Sequence, residues 1–492
     1  MATSGGGGGG GIFVAALWWI CLMWGWAHVT PQTHNCPSRS DLAPCVCTVK
    51  KNGLDILCEL TDQQHISRAM SKLKTSNEVI FYLKLRHNNL PKLQDFLFLG
   101  LNIHHLTIHN SSLAVVEESS LNSLGNQLTQ LDLSQNGLIS VPSTAIHNLH
   151  HLLLLNLNHN RITAIHNRSF DGLDTLEILT LYGNKIMSVE SDAFKGLDKN
   201  YSVFCVQVRQ FPYLTANETQ STVAMCRILI HMILPTGLEG LDSLILGHNQ
   251  LKEVPARVFS HLNLLNSLEL DGNQINHIHS EAFFGLEENL QYLRLGDNNI
   301  HSIPSEALRR LHRLRHLDLR SNNISSIPED AFTGFGDTIT FLNLQKNDIK
   351  VLPSLAFENL NSLETLHLQN NKLKHIPEEI MEPIVDTLRN IDIMDNPLVC
   401  DCGLRWYRDW LKSLRNKDDD VMLKKRTLCT MVSEHREYKV QELPVERMNC
   451  VGKNLEQTSA NEATVPRGYC TVAVATAVST LAVATFSSYR CM

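Results

Sequence analysis

From Ile80 to Leu398 one pattern keeps returning, L-x-x-L-x-L-x-x-N-x-L. Its clearest copies are Leu128-Leu131-Leu133-Asn136-Leu138, Leu265-Leu268-Leu270-Asn273-Ile275, Leu290-Leu293-Leu295-Asn298-Ile300 and Leu314-Leu317-Leu319-Asn322-Ile324. The Asn recurs at 136, 160, 184, 249, 273, 298, 322, 347, 371 and 396, so apart from one long gap the step is 24 or 25 residues. Twelve copies can be counted; in the imperfect one, Ile103-Leu106-Ile108, Ser111 stands where Asn is expected. Self-similarity at a fixed period of this size obliges a chain to stack one supersecondary unit on the next.

The physics of one copy explains the spacing. The L-x-L core alternates with period two and reads as a short strand with Leu facing inward. The Asn then turns the chain, and its amide carries both donors and an acceptor for turn backbone groups that would otherwise be buried unpaired. The remaining residues return over the convex side, where a second apolar set recurs, as in Ile162, Ile165, Phe170 and Leu173. Phe170, Phe194, Phe259, Phe283, Phe332 and Phe357 are expected to stack as a spine. One copy cannot bury its own apolar faces, so the ends need caps. This is the signature of a leucine-rich repeat. It predicts an α/β solenoid over 80–399: a curved horseshoe with a parallel concave sheet and a disulfide-bonded cap at each end.

The flanking segments set the compartment. Residues 1–27 read as a signal peptide, with an apolar run from Ile12 to Trp26 and small residues at Gly25-Trp26-Ala27. Its n-region is a seven-Gly run without Lys or Arg, which leaves a mis-assigned start or an uncleaved anchor as alternatives. The 13 cysteines are clustered, which points to an oxidising compartment. Cys36, Cys45, Cys47 and Cys58 fall within 23 residues beside the first repeat and read as an N-terminal cap over 36–79. Four cysteines permit three pairings, and a zinc site is the competing reading. Thr61 to Lys74 carries Ile66, Ala69, Met70 and Leu73 at helical spacing. Asn110, Asn167, Asn200, Asn217 and Asn323 each open a glycosylation sequon.

Between 198 and 237 the repeat is lost. The Asn step there is 65 residues, read as about two periods plus seventeen, with Cys205 and Cys226 inside. A loop-out stapled by one disulfide, a degenerate repeat with an insertion and a gene-model error all fit. After the last repeat, Cys400-Asp401-Cys402-Gly403-Leu404, Trp406 and Trp410, with Cys429 and Cys450, read as a C-terminal cap over 400–450. A polar linker (451–470) leads to an apolar tail (471–492). Its sixteen residues from Thr471 to Phe486 would span ~24 Å as helix, short of the ~30 Å bilayer core. Small residues at Ser459, Ala460 and Asn461 precede it, so it fits a GPI-anchor signal, with a short single span ending at Arg490 as the alternative. No cytoplasmic signalling domain is expected.

The caps and repeats resemble those of extracellular leucine-rich-repeat glycoproteins. That resemblance implies the pairs Cys36–Cys47, Cys45–Cys58, Cys400–Cys429 and Cys402–Cys450. Cys36 to Cys58, Leu83-Lys84-Leu85-Arg86-His87-Asn88-Asn89-Leu90 and Leu106-Thr107-Ile108-His109-Asn110 further resemble the arthropod Oplophorus-luciferin monooxygenase non-catalytic subunit family. This implies a binding or stabilising subunit rather than a catalyst, and the broken segment at 198–237 departs from the family pattern.

No G-x-S-x-G, H-E-x-x-H or P-loop is present, so neither an enzyme nor a cofactor is expected. A net charge of −7, with no basic stripe interleaved with aromatics, argues against nucleic acid. His87, His104, His105 and His109 are a cluster that either approaches a metal or faces water. The concave wall is the candidate binding face. One of its rows begins Tyr82, His105, Gln130 and passes through Tyr292, His316 and Phe341 to Asn390. The next runs from Lys84 through Asp132, Arg294, Asp318 and His367 to Asp392. Tyr, Phe and Arg on a rigid sheet are types enriched at protein interfaces. Two classes follow: a cell-surface recognition or adhesion protein with a protein ligand, held by a lipid anchor or short span, and a secreted accessory subunit of an enzyme complex.

Overall fold

In the computed structural model the L-x-L cores become strands because each central Leu has one inward direction and its two neighbours have the other. Residues 34–197, 240–413, 426–443, 445 and 450 are described. The signal segment 1–27, the linker and tail 451–492, Cys205, Cys226, Asn200 and Asn217 lie outside them. The chain divides into two units, 1–442 and 443–492. Of the second, only Leu443, Val445 and Cys450 are described, with Leu443 buried.

A fourteen-stranded sheet runs the length of the first unit. Val46–Lys50 and Gly53–Glu59 form an antiparallel hairpin, and the second of these lies parallel to Val79–Arg86. From Val79–Arg86 and Asn102–His109 onward there is one parallel strand per repeat: twelve in all, ending at Asn390–Asp392. The central strands are three residues long and bury the middle residue, as in Ile178–Thr180 and Thr365–His367. The horseshoe and its parallel concave sheet are therefore as the repeat predicts.

The ladder of asparagines joins the turns. Asn322 Nδ2 donates to Leu319 O in its own repeat and Leu295 O in the one before, each at 3.0 Å, and its Oδ1 accepts from Ile300 N at 3.0 Å. Asn160, Asn249, Asn273, Asn347, Asn371 and Asn396 repeat this arrangement. Asn88 starts the ladder against the cap, donating to Cys58 O and accepting from Thr61 N. Ser111 fills the imperfect rung. Its hydroxyl lies 3.2 Å from Leu85 O, 3.1 Å from His109 O and 3.3 Å from Asn88 N, so a shorter side chain replaces the amide in part. The residue before each ladder position has positive φ, from His87 at 53° and Asn110 at 47° to Asn370 at 58° and Asp395 at 54°. Glycine takes it at 183 and 272, where the absence of Cβ relieves the strain that left-handed backbone otherwise imposes.

The long step resolves differently from the count made on sequence. Ile178–Thr180 pairs directly with Ser243–Ile245, and Asn249 bonds Leu181 O and Ile186 N. Phe194 stacks on Phe259 with ring centroids 5.9 Å apart, the same spacing as Phe170 on Phe194. No rung lies between them, so the 65 positions from Asn184 to Asn249 are one period of 24 plus 41, not two periods plus seventeen. Leu197 and Leu241 are both buried and occupy the places that Leu173 and Leu176 hold one repeat earlier.

The caps close both ends of this unit. Disulfides join Cys36–Cys47, Cys45–Cys58 and Cys400–Cys429; Cys402 and Cys450 are each disulfide-bonded as well. With these thiols in disulfides, the four-cysteine zinc reading of the N-terminal cap is set aside. The helix Gln63–Ser76, capped by the Asp62 side chain on His65 N, buries Ile66, Ala69, Met70 and Leu73. At the other end Arg405–Ser413 buries Trp406 and Tyr407, whose polar atoms donate to Ile376 O (2.9 Å) and Ile391 O (3.4 Å). Trp410 is half-buried and stacks on Tyr407. No helix among the described residues is long and apolar enough to cross a membrane.

Two outcomes follow from the ladder and the junction. Asn322→Ala orphans donors and acceptors in two repeats at about 1–3 kcal/mol each, so its melting temperature should fall by several degrees; a midpoint equal to wild type would show the ladder to be dispensable there. Deleting 199–239 leaves Leu197-Asp198-Gly240-Leu241 at the repeat's own spacing. The melt followed by circular dichroism should then remain a single cooperative transition, whereas a broken or two-step melt would mean that the residues removed hold the two halves together.

Candidate binding face

Register places the two concave rows where alternation puts them. Tyr292, His316, Phe341 and Thr365 are cross-strand neighbours in turn, and beside them run Arg294, Asp318, Asn343 and His367. Across the two rows the rings form a continuous patch. His316 lies flat on Phe341, centroids 4.0 Å apart and planes within 3°. Tyr292 tilts against His316 at 5.9 Å, and His367 meets Phe341 edge-on at 5.4 Å. Tyr292 is 45% exposed, while His316, Phe341 and His367 are half-buried.

Burial sets the charge state of this patch. It pushes the His316 imidazole down to about 4, with Arg294 and His367 acting in the same direction. His367 is lowered by burial too, against the opposing pull of Asp392 and Asp318. Near neutral pH the stacked His316 ring is therefore uncharged and adds apolar area rather than a cation. Burial raises the carboxyls of Asp318 and Asp392 above the ordinary range, against the backbone N–H groups of Arg320 and Met394.

A second ring cluster lies at the N-terminal end. Tyr82 stacks on His105 at 4.8 Å, and Phe81 meets both edge-on at 4.8 and 4.7 Å. Lys84 is not open to a ligand in the way its sequence position implies. Its ammonium is held by Asp55 of the cap hairpin at 2.9 and 3.1 Å and lies over the Tyr82 ring.

The second row needs a larger correction. Asp318 is buried, its carboxylate bound by Arg320 Nη1 at 2.7 Å and by Arg320 N at 3.0 Å. Asp132 accepts from Ser134 N, and Asn156, Asn343 and Asp392 each accept from the backbone N–H two residues on. These side chains hold the turn into the ladder, the Asx-type contact that favours Asp and Asn at such positions. The sequence signal was the recurrence of Asp or Asn at this one place in the repeat. Arg294 remains exposed, 3.3 Å from Glu269.

The remaining candidates are dispersed. His109 bonds Ser134 Oγ, His87 bonds Asn110 Nδ2, and His104 sits against Phe81. No group of three or more His, Cys, Asp or Glu among the described residues is placed to hold a metal ion. The sequon residues Asn110, Asn167 and Asn323 are exposed.

Lowered His pKa values give the patch a pH signature. Between about pH 6.5 and about 4 the unfolded chain takes up a proton at residue 316 that the folded chain refuses, so this site contributes stability above that window and loses it as pH falls. The raised carboxyls act with the opposite sign, so a difference measurement is needed. From pH 7.5 to 5 the melting temperature of wild type should fall relative to His316→Gln; a pH-independent difference would show that His316 titrates normally.

Comparison with known proteins agrees with this architecture. The leucine-rich-repeat family matches residues 126–186, 239–288, 288–338 and 337–398. Among solved structures, the octameric complex of Latrophilin 3, Unc5D and the leucine-rich-repeat part of FLRT2 aligns with a TM-score of 0.53 at 23% identity, covering 71% of this chain and 91% of that one. The glycosylated Drosophila Toll–Spatzle complex aligns at 0.50 and 20%, covering 75% of this chain and 52% of that one. A leucine-rich-repeat protein of Leptospira interrogans aligns at 0.46 and 26%, covering 70% and 77%. The matched segments are leucine-rich repeats, and the solenoid they build has the leucine-rich-repeat fold.

Proposed function

We propose that this chain is a non-catalytic extracellular protein that binds a protein ligand on its concave face, in recognition or adhesion. The observation that carries the reading is the patch of Tyr292, His316, Phe341 and His367. A rigid sheet presents them with little side-chain entropy left to lose, and aromatic anchors of this kind dominate interface energetics. The similar structures support it: each of the two complexes joins a leucine-rich-repeat chain to protein partners. The cap disulfides support maturation in the secretory pathway, with the 1–27 segment as its signal and glycans at exposed sequons. The 471–492 tail would hold the protein at the cell surface, by a GPI anchor or a short span. No cofactor and no nucleic acid enter this reading.

The resemblance to the luciferin monooxygenase non-catalytic subunit family supports a second reading, a secreted accessory subunit. Release of the chain into the medium favours it, and retention on the cell favours the first. In either case the partner should sit on the rings. For a partner found by screening the immobilised ectodomain against secreted proteins, Tyr292→Ser with Phe341→Ser should weaken binding by on the order of thirtyfold, the loss typical of a central anchor. Phe96→Ser, at an exposed aromatic outside the concave sheet, should not. Equal binding by wild type and the double variant would move the site off the concave face.

A further inference from the structure

The charges bordering the aromatic patch are not balanced alike on its two sides. Toward the ladder, every arginine near the rings is answered within the fold: Arg294 by Glu269 at 3.3 Å, and Arg320 by Asp318 at 2.7 Å and Asp297 at 3.2 Å. On the opposite edge, the loop leading into the strand His316–Asp318 carries Arg309, Arg310, His312, Arg313 and Arg315. Arg309 is held by Glu306 and Asp330. Arg310 acts electrostatically on Glu281 of the neighbouring repeat, whereas Arg313 and Arg315 are exposed and make no ion pair among the described residues. Their neighbours explain this. Arg315 lies between Gln291 and Thr340, to which its backbone is bonded at 2.9 Å on each side. By the repeat register Arg313 lies between Asn289 and Thr338. The acids of the adjacent loops, Glu288 and Asp337, fall in register with His312 instead, and Asp337 already accepts from Asn361.

Two uncompensated cations thus stand at the rim immediately before His316, in a chain whose acidic residues outnumber its basic ones by 50 to 43. We propose, resting on the concave-face reading above, that this part of the wall takes an acidic peptide segment of a protein partner. An apolar or aromatic side chain of that segment lies on Tyr292 and Phe341, and its flanking carboxylates reach Arg313 and Arg315. The neutral His316 ring suits this arrangement, since it supplies stacking area between the two anchors. An acidic protein segment fits better than a polyanionic sugar, because two guanidinium groups beside an apolar floor read side chains of both kinds. A sulfated chain would want a longer cationic track. Steering by such a rim acts through the approach rate and fades with salt, since charges are screened over about 10 Å at 0.1 M.

The test uses the purified chain and three fluorescein-labelled peptides of equal length that alternate aromatic residues with Glu, with Gln or with Lys. Anisotropy should show the Glu peptide binding tightest at low salt. Arg313→Gln with Arg315→Gln should weaken it by about fivefold, the upper range for exposed charge pairs, without changing the melting temperature. Equal affinity for the three peptides, or a Glu-peptide affinity untouched by the arginine pair, overturns the proposal. If Tyr292→Ser still abolishes binding in that case, the concave-face reading stands; if it has no effect either, both fall. Heparin that binds through the same arginines and displaces the Glu peptide, with Tyr292→Ser inert, overturns the peptide in favour of a glycan.

Discussion

The asparagine ladder is the interaction on which everything else in this solenoid depends. Each repeat ends its strand by turning inside the core, and a turn there leaves peptide groups with no water to bond. An Asn amide answers them because it can donate to two carbonyls and accept from one N–H at once, reaching into the repeat before it. Stability is thereby shared between neighbours rather than owned by one repeat, as the quasi-one-dimensional character of such folds requires. The Phe spine and the Leu rows fill volume, but they do not fix where the chain must turn. Ser111 marks the limit of substitution: its hydroxyl reaches Leu85 O in the repeat before and His109 O two residues back, yet it has a single proton to donate and leaves Ile108 O to Asn136.

Much of the architecture was legible in the sequence, because period two within a copy and period 24 between copies act on different scales and cannot be confused. Alternation alone put Tyr292 beside His316 and His316 beside Phe341. What could not be read was side-chain commitment. Asp132, Asp318 and Asp392 look like ligand-facing acids by register, yet their carboxylates are taken up by backbone N–H groups two residues on. Lys84 looks free until the cap hairpin brings Asp55 against it. The number of turns in the long gap is hidden from the sequence for a related reason. Residue number counts chain, whereas the ladder counts turns, and only pairing between 178–180 and 243–245 shows how many turns the chain makes there.

The concave wall shows how a sheet can be both polar in composition and apolar in effect. His316 would carry charge in water on mild acidification, but burial holds it neutral, and stacking then turns imidazole into ring surface, while burial lowers His367 in the same sense. The arginines on the ladder side are neutralised by acids that the repeat positions for them. The surface a ligand meets is therefore mainly rings, with residual charge confined to one edge.

Direct pairing across the 65-residue step separates two properties that are coupled in most folds, chain length and shape. In a packed globule extra sequence must be accommodated by displacing something, and distances across a site shift with it. Here the strands on either side of the junction meet as if nothing intervened, with Leu197 and Leu241 seated as in any other repeat. The spacing of two rings on either side of the junction is therefore set by the number of strands between them and not by the number of residues, because the strands themselves carry the register across.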